Sequence, residues 1–210
     1  MTAIWGPLGW MTLHSVALCY PETPTNAERE LMRTWIDMFR DTITCPHCRE
    51  HFTTMLAAYR AAFPDMLASR QTFAMFTFRA HNAVNRRLKK PVYTTLDECL
   101  ATLKSNLKTR TARDYRISYI NHATRHWRTF QDISGIAGLK KLNEMKKIET
   151  DYFTPRDTNC EATLKQDVVV LPQDMLEKST EAEPSRPFRF SSPSGGGGFR
   201  ITPKGLRLRL

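Results

Sequence analysis

A length of 210 residues allows one or two domains, and apolar and charged fractions of 41% and 25% are those of an ordinary globular protein. No stretch reaches the roughly 20 apolar residues that a membrane-spanning helix needs. The first nine residues lack the basic and apolar regions of a secretory signal. Five cysteines, an odd number, do not suggest a secreted disulfide scaffold.

The net charge of +10 is spread unevenly, because residues 101–155 carry +6 of it. Such an excess could attract nucleic acid or an acidic partner. No nucleic-acid motif accompanies it, so we favour a solvated helical surface. We expect neither nucleic acid nor a membrane among the partners.

Residues 1–108 are predicted to form an all-α domain, a four-helix bundle with a short fifth helix. A capping box at Thr25 and Glu28 begins the second helix, and Pro46 begins the third with Cys45 at its cap. A second capping box, Thr95 and Glu98, begins the fifth. The residue stripes that define the five helices are Trp10, Leu13, His14, Ala17; Met32, Trp35, Ile36, Phe39, Ile43; Phe52, Met55, Leu56, Tyr59; Phe73, Phe76, Thr77, Ala80, Val84, Leu88; and Leu96, Cys99, Leu100, Leu103, Leu107.

Two further segments follow this domain. Residues 109–154 are predicted as a small basic helical domain that must lean on the first domain or on a partner, because two helices bury little by themselves. Ser134-Gly135 is predicted to separate its apolar stripes, Ile120, Ala123, Trp127, Phe130 and Ile136, Leu139, Leu142, Met145. Residues 155–210 are rich in proline and glycine, so we expect a mostly disordered tail.

The sharpest local motif is Cys45-Pro46-His47-Cys48. Two cysteines three residues apart can close a small disulfide loop, and a helix N-terminus stabilises a thiolate at the first of them. Thiolates carry out disulfide exchange, so the pair suits two-electron redox chemistry. A thioredoxin fold would need a strand before the motif, where the pattern is helical. A zinc site could use His47 and His51 with the cysteines, but no second ligand pair follows, so we expect no metal.

Two other groups of residues become informative in combination. Trp10 and His14 share a face of the first helix, and His81 and Asn85 share a face of the fourth, shortly before a basic run. Each alone is compatible with an ordinary core or a solvated helix end. With the dithiol they supply aromatic faces, amides and cations in one bundle, which is what a flavin dinucleotide requires.

These motifs together resemble the Erv/Alr family of flavin-dependent sulfhydryl oxidases over roughly residues 4–107. The matching pieces, in order, are Trp5-Gly6, Trp10-x-x-Leu13-His14, Tyr20-Pro21, Cys45-Pro46-His47-Cys48 and His81-Asn82-x-Val84-Asn85-x-x-Leu88-x-Lys90-Pro91. The chain is most similar to the versions carried by large DNA viruses. The resemblance implies a helical bundle that binds FAD, often as a homodimer.

The same resemblance implies roles for individual residues. Cys48 would lie beside the flavin ring, and Cys45 would face the substrate. The residues implied in cofactor binding are Gly6, Trp10, His14, Tyr20, His51, His81, Asn82, Val84, Asn85, Leu88, Lys90 and Tyr93. A structural disulfide common in cellular members is absent, because Phe78 and Thr95 stand at the corresponding positions.

The implied activity is oxidation of thiol-containing proteins, with oxygen as electron acceptor and hydrogen peroxide as product. A viral member would act in the host cytoplasm and in the virion. Cellular members often add a shuttle cysteine pair, whereas here Cys160 stands alone in the tail. We expect Cys45 to take substrate thiols directly, because one cysteine cannot store a disulfide. The alternative function is a flavin-free thiol–disulfide exchange or partner-binding module.

Overall fold

The computed structural model describes residues 2–106 and 109–157, which form seven α-helices and no strand, as the sequence predicts. Leu107 and residues 158–210 of the predicted disordered tail, Cys160 among them, lie outside the described residues. The tail residues 155–157 are described and continue the helical chain, so the prediction of disorder is wrong for them. None of the described helices is long and apolar enough to cross a membrane. The helices are α1 (Thr2–Leu18), α2 (Asn26–Thr42), α3 (Pro46–Ala62), α4 (Arg70–Arg87), α5 (Leu96–Asn106), α6 (Ala112–Trp127) and α7 (Ile133–Ile148).

The helix starts follow the local sequence signals. Thr25 and Glu28 form the predicted capping box, and Pro46 opens α3 behind the cap residue Cys45. The start of α5 differs in one bond. The Glu98 carboxylate accepts the backbone N–H of Thr94 at 2.7 Å, whereas the predicted capping box would have it accept the N–H of the next residue, Thr95.

Helix α1 is the central element, because it packs against α4, α5 and α6. Its last two turns are buried almost completely, and their apolar face includes Leu13, Val16 and Ala17. The side chains from the other helices that complete this core are Trp35, Ile36, Phe39, Phe52, Leu56, Phe73, Phe76, Tyr119, Ile120, Trp127 and Phe153.

The segment predicted as a small separate domain, residues 109–154, packs on the first five helices: α6 lies against α1, and α7 lies against α2. All described residues belong to one structural unit. Tyr119 shows how closely the segments interlock, because its hydroxyl donates to the Phe39 carbonyl at 3.2 Å. Whether residues 109–154 also form a domain by themselves stays a prediction.

The predicted break at Ser134-Gly135 is wrong in position. Helix α6 ends at Trp127, and Asp132 caps α7 by accepting the Gly135 backbone N–H, so the break lies at residues 128–132. Gly135 lies inside the first turn of α7. The position requires glycine, because a Cβ there would lie 2.2 Å from the Phe130 carbonyl oxygen. Phe130 and Ile136, predicted as core positions, are instead 42% and 67% exposed.

After α7 the chain continues through a π-helical turn, Glu149–Phe153, and a 3-10 turn, Thr154–Arg156, which the sequence analysis did not predict. Arg116 of α6 anchors this segment through hydrogen bonds. Its guanidinium donates to both carboxylate oxygens of Glu149, at 2.7 and 3.0 Å, and to Asp157 at 2.6 Å. The Arg116 and Glu149 side chains are only 2% and 4% exposed, so each charge depends on the other for its stability inside the protein.

Replacement of Arg116 by methionine should therefore destabilise the fold strongly. The substitution leaves the Glu149 carboxylate buried without its partner, which costs about 3–5 kcal/mol. Urea unfolding followed by circular dichroism measures the change. The control is Arg33→Met, whose ion pair with Glu30 is 48% and 72% exposed and whose loss should cost under about 1 kcal/mol. Equal effects of the two substitutions would contradict this account.

Candidate redox loop and cofactor site

Cys45 and Cys48 form a disulfide at the first turn of α3. The Cys45 Sγ accepts the backbone N–H of Cys48 at 3.3 Å, so the sulfur occupies the cap position of the helix. Pro46 suits the first helical position, because it has no N–H that would remain unpaired there. Both cysteines are half-buried, and Cys48 packs against the hydrophobic core.

Residues from the C-terminal segment brace the redox loop. The Trp127 indole N–H donates to the Thr42 carbonyl at 3.1 Å, just before the loop begins. Arg49 donates to the Ile43 carbonyl at 3.2 Å and lies 5.3 Å above the Trp127 ring. Beside the loop is a polar cavity of about 530 Å³ lined by Arg40, Asp41, Pro46, Arg49, Glu50, Thr53 and Thr54. The sequence analysis missed Arg49 and Trp127, because their contact joins positions 78 residues apart.

A second cluster forms where α1 faces α4. The Trp10 and His81 rings stack in parallel, with centroids 4.2 Å apart and planes 6° apart. His14 Nε2 lies 3.0 Å from His81 Nδ1, and the Cys99 thiol lies 3.5 Å from the same His14 nitrogen. The Tyr93 ring meets His81 edge-on at 5.1 Å. The structure thus brings four of the predicted cofactor residues together, and adds Cys99 to them.

The hydrogen bonds of this cluster assign the proton positions on the two histidines. Thr77 Oγ1 donates to the Ala74 carbonyl at 2.9 Å, so it accepts from His14 Nδ1 at 3.0 Å. The other His14 nitrogen, Nε2, is then an acceptor, and His81 Nδ1 is its donor. His81 Nε2 is left as an acceptor in the neutral pair. Thr77 stands one helical turn before His81, a spacing through which the sequence could have revealed it.

Burial keeps these groups neutral. Burial, and after it the neighbouring His81, lowers the pKa of His14 to about 3. Burial and then the Lys90 ammonium lower the pKa of His81 to about 4. Burial, with a smaller contribution from Glu98, raises the pKa of the Cys99 thiol to about 12. At neutral pH the cluster therefore presents two neutral imidazoles and a protonated thiol.

The end of α4 folds back to complete the cluster. Asn82 donates its amide N–H to the Tyr93 carbonyl and accepts the Tyr93 backbone N–H, both at 2.9 Å. The reversal uses Lys89 with a φ of 53°, while Lys90 N–H bonds to the Asn85 carbonyl and Lys89 N–H to the Arg86 carbonyl. This is the Schellman helix end, which directs the following Pro91 and Tyr93 back along α4.

The residues present fit a flavin dinucleotide. The Trp5 indole nitrogen is buried without a hydrogen-bond partner among the described residues, so the protein holds a donor that awaits an acceptor. The carbonyl oxygens and ring nitrogens of a flavin are acceptors that could pair with this indole N–H. Trp5, Trp10 and Cys48 all pack against the same core cluster. Basic residues at the end of α4 supply cations for a diphosphate.

Other predicted cofactor residues lie outside this cluster or at its edge. Tyr20 is fully buried, and its hydroxyl donates to the Leu67 carbonyl at 3.0 Å. His51 lies on α3, where its Nδ1 is 2.7 Å from the His47 carbonyl oxygen. Leu88 and Lys90 are exposed, Val84 and Gly6 are half-buried, and Asn85 is buried. Their contact with a cofactor stays a prediction.

The absence of a metal site also stays a prediction. The donor atoms of His14, His81 and Cys99 lie within 4.8 Å of one another, close enough to share a metal ion. His14 and His81 are also among the residues predicted to bind the flavin. The zinc alternative considered for Cys45 and Cys48 would need free thiolates, whereas the two sulfurs are bonded to each other.

Comparison with known proteins finds relatives over the region that contains the cysteine pair and the two histidines. The model of the Erv1 / Alr family matches residues 8–107. The FAD-linked sulfhydryl oxidase of African swine fever virus (isolate Tick/Malawi/Lil 20-1/1983) is 35% identical over 88 residues, which cover 42% of this chain and 71% of the relative. FAD-linked sulfhydryl oxidase ERV2 of Saccharomyces cerevisiae is 33% identical over 88 residues, 42% of this chain and 43% of the relative.

A longer match includes part of the C-terminal segment. Probable FAD-linked sulfhydryl oxidase R368 of Acanthamoeba polyphaga mimivirus is 28% identical over 140 residues, 67% of this chain and 96% of the relative. The chain therefore spans less than half of the yeast relative and nearly all of the mimivirus one. No solved structure is significantly similar to the chain.

The neutral histidine pair should make the fold sensitive to acid. In the unfolded chain each histidine takes up a proton near pH 6.5, whereas the folded chain resists this down to pH 3–4. Stability should thus be lost as the pH falls below 6.5, by about 2 kcal/mol per histidine at pH 5. Urea unfolding at pH 7 and pH 5 measures the loss.

The matched variants are His14→Gln, which should reduce the acid sensitivity, and His47→Gln, which should retain it because the His47 side chain is 74% exposed. An NMR titration gives a second readout, in which the His14 imidazole stays neutral at pH 5. Protonation of His14 near pH 6.5, or equal acid sensitivity in all three proteins, would contradict the neutral pair.

Proposed function

The chain belongs to the Erv1 / Alr family, and on that basis we propose that it is an FAD-linked sulfhydryl oxidase that forms disulfides in thiol-containing proteins. One observation carries the proposal beyond family membership. A helix-capping disulfide and the Trp10–His81 stack lie on one hydrophobic core, with Cys48 on the core side of the disulfide. A dithiol that hands electrons inward needs this arrangement.

The reaction begins at Cys45. A substrate thiolate attacks the Cys45 Sγ, forms a mixed disulfide and releases Cys48 as a thiolate. The N-terminus of α3 stabilises negative charge on the cysteines. A second substrate thiol then attacks the substrate sulfur of the mixed disulfide, which releases the oxidised substrate. Two electrons and two protons have passed from the substrate to the Cys45–Cys48 pair.

The cofactor would lie against α1 and α4, held by Trp5, Trp10, His14, His81 and Asn85, with Lys90 near its phosphates. When bound, FAD accepts the two electrons from the reduced pair and passes them to oxygen, which yields hydrogen peroxide. The net reaction is 2 R–SH + O2 → R–S–S–R + H2O2. His81 presents a neutral acceptor nitrogen to this site, and Thr77 fixes that tautomer through His14.

A flavin-free exchange or partner-binding module remains the alternative function. It would require the redox loop but neither the stacked Trp10–His81 pair nor a buried indole without an acceptor. Those two features favour the oxidase. We further propose that residues 1–108 hold the catalytic parts, that residues 109–154 form a basic helical addition to them, and that the protein acts as a homodimer. The viral relatives support a place of action in infected cytoplasm and in the virion.

Separate Cys45→Ser and Cys48→Ser substitutions test the proposed route. Each should lower peroxide production from dithiothreitol by at least about 100-fold, because a single remaining cysteine cannot form the disulfide that accepts electrons. Peroxide is measured by a coupled peroxidase assay at equal flavin content. Cys160→Ser is the matched control and should keep most of the turnover. Wild-type turnover in Cys45→Ser or Cys48→Ser would overturn the assignment, and a large loss in Cys160→Ser would favour a shuttle role for that cysteine.

A further inference from the structure

Three large apolar side chains stand together on the surface where α6 turns into α7. Phe130, Ile133 and Ile136, here called the α6–α7 patch, are 42%, 86% and 67% exposed. Among the described residues, only Leu88 and Val92 are comparable exposed hydrophobic side chains. Isolated apolar residues are normal on a surface, whereas a group of exposed apolar side chains is a candidate binding region.

The exposure of the patch is fixed by tight packing of the opposite helix face. Helix α7 buries Gly135, Gly138, Leu142 and Met145. A Cβ on Gly138 would come within 2.5 Å of the Trp127 ring, so α7 lies directly on that indole. This close approach sets the rotation of the helix and turns Ile133 and Ile136 outward. The outward orientation of Ile133 and Ile136 therefore follows from the way α7 packs.

A short chain of contacts connects the patch to the redox loop. The Phe130 ring lies 5.7 Å from the Trp127 ring. Trp127 holds the Thr42 carbonyl and lies under Arg49, so it touches residues on both sides of Cys45. On the same side, Lys141 of α7 forms an ion pair with Asp41 at the end of α2. Through Trp127, the Phe130 ring is thus connected to Thr42, which stands three residues before Cys45.

We propose that the α6–α7 patch docks an apolar segment next to the reactive cysteine of an incompletely folded protein substrate. The inference rests on the proposed oxidase function. A mixed disulfide on Cys45 forces the substrate chain onto the surface around the redox loop, and Phe130 of the patch packs on Trp127, which braces that loop. Cysteine is among the residues most often buried in folded proteins, so its neighbours in sequence are commonly apolar and are exposed before folding is complete. The substrate class is thus a thiol flanked by apolar residues.

The test compares two dithiol peptides that differ only in the residues flanking the cysteines, leucine and valine in one and serine in the other. With the full-length, flavin-containing protein, kcat/KM for the apolar peptide should exceed that for the serine peptide at least about fivefold. The double substitution Ile133→Ser, Ile136→Ser should remove this preference and leave dithiothreitol turnover unchanged. The matched control is Val92→Ser, an exposed apolar position away from the patch, which should retain the preference.

Binding is also measured without turnover, by fluorescence anisotropy of a labelled apolar peptide that carries serine in place of each cysteine. Loss of this binding in the double variant supports docking even where no dithiol is oxidised, so failure of the oxidase function is distinguishable. An unchanged preference and unchanged binding in the double variant would overturn the proposal. Two other results would also overturn it: a change of oligomeric state in the double variant, or a rise in apolar-peptide binding on truncation after residue 157. They would assign the patch to a second copy or to the chain's own C-terminal residues.

Discussion

His14 has no solvent exposure, and it lies in the buried last two turns of α1, the helix that packs against α4, α5 and α6. A buried imidazole must satisfy both ring nitrogens, so α4 has to present Thr77 on one side and His81 on the other. This requirement fixes the register of α1 against α4. It also aligns His81 beneath the Trp10 ring, and from there the return of Tyr93 to Asn82 closes the cluster. The cluster around His14 and His81 thus results from the need to satisfy polar groups inside a helical core.

The other faces of α1 and α2 show why residues beyond the family match belong to the same structure. Thr12 of α1 donates to the Tyr115 carbonyl of α6 at 3.0 Å. Trp127 and Lys141 reach the end of α2, beside the redox loop. The family model ends at residue 107, but the support of the loop comes in part from α6 and α7. The environment of the redox loop therefore includes residues that the matched region alone does not contain.

The sequence predicted what depends on local patterns. The capping box at Thr25, the cap role of Cys45 and the helical stripes all follow from interactions within one turn. The stretch from Ser134 to Ile136 was misjudged, because Gly135, which looks like a helix break, is there to admit the Phe130 carbonyl. That reason is visible only when two helices are packed. Cys99 and Arg49 were missed for the same cause, since their partners are distant in the chain. Tyr20 is a different case. The Tyr20-Pro21 motif resembles that of the family, but the described contacts of Tyr20 are with the core residues Leu67 and Phe73.

The visible absorption spectrum of the purified, dialysed protein tests the central claim most directly, because one experiment reports cofactor, redox partner and acceptor. The account predicts a flavin spectrum that bleaches when a dithiol is added under nitrogen and returns on admission of air. A folded protein that is colourless, and that binds no added FAD, would contradict it. So would a bound flavin that a dithiol fails to reduce, because electrons must then take a route other than Cys45 and Cys48.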